Sequence, residues 1–112
     1  RPRASLEHTF WVRKVAEYFE SQGYELTREH IIKGNGAVDL LAERPGEKVA
    51  IEIETGKSDI AGNLAKIRKN GFDRVVFIAT SPTAVTACQK AVEEAERDPA
   101  SPVELLTWLD VS

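Results

Sequence analysis

Apolar positions along the chain follow a helical period, change to a strand-like period, and later return to helical spacing. Val12, Val15, Ala16 and Phe19 recur at helical spacing behind Ser5, a capping residue, and Gly23 is a natural stop, so a helix is expected over about residues 5–22. Tyr24 to Ile32 is strand-like with a bend expected near His30, and Lys33-Gly34-Asn35-Gly36 signals a turn. Ala37 to Glu43 and Lys48 to Glu54 read as two further strands, joined into a hairpin by Arg44-Pro45-Gly46-Glu47. Ile60, Leu64 and Ile67 then mark a helix over about residues 58–70, ended by Gly71. The apolar run Arg74 to Thr80 suits a strand buried on both faces. Ser81 caps a third helix beginning at Pro82, with Val85, Cys88, Val92 and Ala95 as its inward stripe; Asp98-Pro99 ends it, and Val103 to Leu109 is the last strand. The order αβββαβαβ predicts an α/β domain with a mixed sheet flanked by helices on both faces.

The length, 112 residues, matches one domain with one core. Cys88 is the single cysteine, which excludes an internal disulfide framework and a thiolate metal site, so a reducing compartment, the cytoplasm, is expected. No apolar run approaches the roughly 20 residues of a membrane span. The start Arg1-Pro2-Arg3 resembles neither a signal peptide nor an initiator, and residues 1–112 are expected to be a single domain excised from a larger protein. A net charge of −3 argues against a protein coated in positive charge. Its distribution is uneven: Lys57, Lys66, Arg68, Lys69 and Arg74 outnumber Asp59 and Asp73 in the middle, whereas acids dominate after residue 75. A local basic surface and ordinary solvated helix charge both fit that pattern.

The hairpin gives the acids a geometry. A turn centred on Pro45-Gly46 pairs Glu43 with Lys48, Leu41 with Ala50 and Asp39 with Glu52, and sets Val38, Leu40 and Ala42 against Val49, Ile51 and Ile53 as an apolar layer on the other face. Alternation along the strand brings Glu54 out on the Glu52 face. Directly opposed carboxylates at about 5 Å repel by about 3 kcal/mol at an effective dielectric near 20. A raised pKa, a nearby Lys or a divalent cation relieves that repulsion, and the cation explains most. Three solvated acids on an open face, neutralised by Lys57, are the plainer reading.

Asp39 followed by Ile51-Glu52-Ile53-Glu54 resembles the PD-(D/E)xK nuclease superfamily, whose core is αβββαβ and whose signature is an acid on strand two followed by Glu-x-Lys on strand three. The likeness spans roughly residues 5–80 and looks strongest toward archaeal Holliday-junction-resolvase-like and restriction-endonuclease-like members. It implies a restriction endonuclease-like core with an additional C-terminal helix and strand. It also implies Mg²⁺ (or Mn²⁺) held by Asp39, Glu52 and Glu54 for hydrolysis of DNA phosphodiester bonds, with Glu7 matching a helix-one Glu by position. Two departures stand out: Val38 precedes Asp39 where Pro is usual, and Glu54 occupies the Lys position. Glu54 would then be a ligand or general base, and Lys57 could supply the missing cation from the loop. Partners implied by the resemblance are DNA, including branched DNA, a second copy in a homodimer, and a parent ATPase or helicase. The alternative is a catalytically inactive nuclease-fold module that binds DNA or docks within a larger DNA-processing ATPase; an appendage assembling through helix one is a third.

Other residues carry less. Thr55-Gly56-Lys57-Ser58 is no phosphate-binding Walker loop, because Ile51 stands where that motif needs Gly. Gly56 and Ser58 precede a helix N-terminus, where free backbone N–H groups can receive a phosphate. Asn63 and Lys66 lie off the Ile60, Leu64, Ile67 stripe and face either a cleft or water, with water expected for Lys66. His8 and His30 lack ligand-spaced partners and read as surface or structural residues, Cys88 as buried packing, and Trp11 as a contact to a neighbouring domain or subunit.

Overall fold

A computed structural model describes residues 5–34, 36–99 and 101–112. Arg1-Pro2-Arg3 and Asn35, in the expected turn, lie outside the described residues. The elements are α1 (Leu6–Glu20), β1 (Glu25–Ile32), β2 (Gly36–Arg44), β3 (Glu47–Glu54), α2 (Ile60–Ile67) extended by a 3₁₀ turn (Arg68–Asn70), β4 (Arg74–Ala79), α3 (Pro82–Ala95) and β5 (Val103–Thr107). They form one mixed five-stranded sheet in the order β1-β2-β3-β4-β5, antiparallel from β1 to β3 and parallel from β3 to β5.

Helices cover both faces, as the element order predicts. Val12, Val15, Ala16 and Phe19 of α1 pack with Leu40, Ala42, Val49, Ile51, Ile53, Val76 and Ile78. Ile60, Leu64 and Ile67 of α2 and Ala84, Cys88, Ala91 and Ala95 of α3 pack with Leu41, Ala50, Val75 and Phe77. The central strands β3 and β4 are therefore buried at nearly every position beyond their first residues, because each face meets a helix.

The β2–β3 register runs as expected from Arg44↔Glu47 through Glu43↔Lys48 and Leu41↔Ala50 to Leu40↔Ile51. The expected bend near His30 is real: Glu29 has φ +50, and the β1–β2 ladder skips from Arg28↔Leu40 to His30↔Val38. The register is the same on both sides of that break, but Val38 joins the core under α2 and α3 instead of continuing the Leu40–Ala42 layer.

Other boundaries shift for local reasons. Asp59 caps α2 by accepting from Gly62 N–H, so that helix starts two residues later than expected. Asp110 accepts from Thr107 N–H at 2.7 Å and closes β5 at Thr107 instead of Leu109. The inward stripe of α3 is Ala84, Cys88, Ala91 and Ala95, with Val85 and Val92 only partly buried beside it. Small residues face inward because the chain passes close by: a Cβ on Gly56 would lie 3.4 Å from the Ala84 backbone, and Gly56 has φ +96.

Candidate active site

Asp39 and Glu52 meet where β2 and β3 stop pairing. Beyond Leu40↔Ile51 the backbone ladder gives way to side chains: Asp39 N–H donates to Glu52 Oε2 at 2.8 Å, and Ile53 N–H donates to Asp39 Oδ2 at 2.8 Å. Each carboxylate thus commits one oxygen to the opposite strand. The exchange spreads the strands by the reach of a side chain and fixes both acids on the sheet itself.

Among the described residues, the buried polar or charged side chains are Asp39 (7% exposed), Glu52 (7%) and Glu54 (2%), so buried charge is concentrated at one place. Burial, reinforced by the Asp39 charge, pushes the Glu52 carboxyl up to about 9. Glu54 is also raised, first by burial and further by Asp39, while a hydrogen bond donated by Ser58 opposes the shift. Glu54 also influences the Cys88 thiol, which burial and the nearby carboxylate push up to about 12, and such a buried thiol is unreactive.

A cleft of about 250 Å³ opens on Asp39 and Glu52 and is walled by Ile32, Gly36, Ala37, Asn63, Lys66 and Ile67. The adjoining ends of β1 and β2 form one wall and α2 the other. Glu54 lies deeper and is not among the lining residues. Glu7 is exposed in the first turn of α1, and Lys57 is exposed in the loop before α2. Neither is among the residues lining the cleft that opens on Asp39 and Glu52. His30 packs edge-on against Phe72, a structural role. Trp11 is half-buried against the α1 core and edge-on to Phe10.

The residue that reaches Asp39 from α1 is His8, read from the sequence as surface or structural: its Nε2 lies 3.2 Å from Asp39 Oδ1. The signal was available, because His8 precedes Val12 by one helical turn and so lies on the inward stripe. Lys66 and Asn63 both line the cleft, and Lys66 is exposed to solvent there, as expected for it. Their placement depends on α2 closing against the β1–β2 turn, a contact between distant parts of the chain.

Among the described residues, no group of three or more His, Cys, Asp or Glu side chains forms a ready-made cation cage. Two adjacent carboxylates are nevertheless a donor set that suits Mg²⁺, which takes one or two carboxylates and completes its shell with water and phosphate oxygens. The oxygen donors of Asp39 and Glu52, and the burial and Asp39 charge that together raise Glu52, fit such an ion.

No protein-family model and no curated protein matches the chain. Among solved structures it is similar to a repair endonuclease from Pyrococcus abyssi, with 15% identity and a TM-score of 0.54 over 96% of this chain and 48% of that one. This chain therefore spans about half the length of that enzyme. A five-stranded mixed sheet between α1 on one face and α2 and α3 on the other gives this chain a restriction endonuclease-like α/β fold.

Proposed function

We propose that the domain is a divalent-cation-dependent endonuclease of the PD-(D/E)xK type that hydrolyses DNA phosphodiester bonds at the Asp39–Glu52 cleft. The observation that carries this reading is the reciprocal pair of hydrogen bonds that holds two buried carboxylates side by side at the splayed strand ends. Likeness to the fold of a repair endonuclease supports it. Asp39 and Glu52 would hold Mg²⁺ or Mn²⁺, which would supply Lewis-acid charge for phosphodiester hydrolysis. Glu54 serves as the third acid; burial raises its carboxyl, and Ser58 donates a hydrogen bond that orients it. His8 fixes the Asp39 carboxylate from the α1 side. Glu7 and Lys57, both at the surface, play supporting parts at most.

A second reading rests on Glu54. A carboxylate in place of the motif Lys, buried and engaged by Ser58, favours a module that binds DNA without cutting it. Incubating the purified domain with Mg²⁺ or Mn²⁺ on plasmid and branched DNA separates the two. The expected result is cleavage that falls at least about 10³-fold in both Asp39→Ala and Glu52→Ala. Cleavage that survives both substitutions overturns the nuclease reading, and salt-dependent binding without cleavage supports the second.

A further inference from the structure

The cleft holds two acids, yet a nucleic-acid backbone brings a negative charge of its own. A site that takes a phosphodiester needs a cationic side chain within reach. Among the described residues that line the cleft, Lys66 is the basic one. It forms no ion pair with any described residue. Its ammonium is therefore not already neutralised by the acids across from it.

The position of Lys66 is built by Asn70, one helical turn later. Asn70 Nδ2 donates to the Lys66 carbonyl at 2.9 Å and to the Lys33 carbonyl at 3.4 Å, while Asn70 Oδ1 accepts from Lys33 N–H at 2.8 Å. One amide thus ties the last turn of α2, one wall of the cleft, to Lys33, which follows Ile32 of the other wall. At about 250 Å³ the space lies just below the roughly 300–1,000 Å³ of small-molecule pockets and suits a phosphodiester better than a whole nucleoside.

We propose that Lys66, held across the cleft from Asp39 and Glu52 by the Asn70 bridge, is the cation that binds the substrate phosphate, and that Asn70 is its positioning residue. The proposal rests on the nuclease reading and deepens it. Lys66 is exposed, so its substitution leaves the core intact. Lys69, which faces the groove between α2 and α3, carries the same charge away from the cleft and is the control.

The experiment uses the full chain in two arms. In the first, plasmid cleavage with Mg²⁺ is measured for Lys66→Ala, Lys66→Arg, Asn70→Ala and Lys69→Ala. The expected results are a loss of at least 30-fold in kcat/KM for Lys66→Ala, recovery to within about fivefold in Lys66→Arg, and a change within about twofold for Lys69→Ala. Asn70→Ala raises KM more than it lowers kcat. In the second arm, anisotropy of a labelled DNA duplex is followed across a salt series in an Asp39→Asn background. Lys66→Ala there lowers the slope of log K against log salt by about one, as expected for one lost phosphate contact.

Wild-type cleavage by Lys66→Ala, while Asp39→Ala is inactive, overturns the Lys66 assignment and leaves the nuclease reading standing. A chain that cuts nothing sinks the nuclease reading. Lys66 is then decided by the binding arm, where an unchanged salt slope overturns it.

Discussion

Strand β3 begins at Glu47 and ends at Glu54, and its two ends treat their acids in opposite ways. At the start, Glu47 accepts from Tyr24 Oη at 2.6 Å and from Arg44 Nε at 2.9 Å, and Arg74 Nε lies 3.2 Å from its other oxygen. Arg74 also grips Glu104 through both carboxylate oxygens, at 2.8 and 2.9 Å, and donates to Tyr24 Oη. Arg44 stacks over the Tyr24 ring at 4.3 Å. The Glu47 carboxyl is accordingly held below the usual range, chiefly by the Tyr24 hydrogen bond. At the far end, among the described residues, no arginine pairs with Glu52 or Glu54; both acids are buried, and both are raised. One end is an ion-paired polar network that ties strands together, whereas the other buries carboxyls whose charged forms a cation would stabilise.

The largest expected effect separates the ends by function. Asp39→Ala and Glu52→Ala abolish cleavage while leaving the fold intact, as circular dichroism checks. Arg74→Ala leaves cleavage per folded molecule within about twofold. An Arg74 variant as inactive as the acid variants would show that the two ends are not functionally distinct.

A smaller effect concerns pH. Because the folded-state pKa of Glu52 is raised from 4.5 to about 9, its neutral form stabilises the cation-free protein fully below pH 4.5, and that contribution is lost as pH rises toward about 9. Glu52→Gln keeps an acceptor for Asp39 N–H and removes the titration. In EDTA it should therefore melt higher than the wild type at pH 8, by on the order of 2 kcal/mol, and nearly equal to it at pH 4.5. Equal melting at both pH values contradicts the raised Glu52 carboxyl. Adding Mg²⁺ at pH 8 should raise the wild-type melting temperature and leave Glu52→Gln unmoved.

The smallest effect belongs to the ion-paired end. Arg74→Ala should lower stability by about 1–2 kcal/mol, a shift of about 4–8 °C per kcal/mol for a domain of this size. Thermal melting that stays within a degree of the wild type would show that the network adds nothing to the fold.

The contrast between the ends was only half legible in the sequence. Period and punctuation place the strands, and the Pro45-Gly46 turn dictates the register that brings Asp39 to Glu52. What escapes is set by contacts between distant segments. Lys66 meets the cleft because Asn70 reaches back to Lys33, 37 residues earlier. Ser58, expected within the helix, turns instead to Glu54, and Asp59 takes the cap. Stripe reasoning favours the larger Val85 and Val92, yet α3 turns Ala84 and Ala91 to the sheet because the approach is close. His8 was readable from helix phase, but a histidine without ligand-spaced partners gave no chemical signal.

The central claim is that Asp39 and Glu52 are held together to bind a divalent cation. Anomalous diffraction from crystals soaked in Mn²⁺ at pH 8 tests it directly. The account predicts a strong peak bridging the two carboxylates that disappears in Glu52→Gln. A saturating soak that leaves no peak there, with the Asp39 and Ile53 N–H groups still donating to the carboxylates, would contradict it.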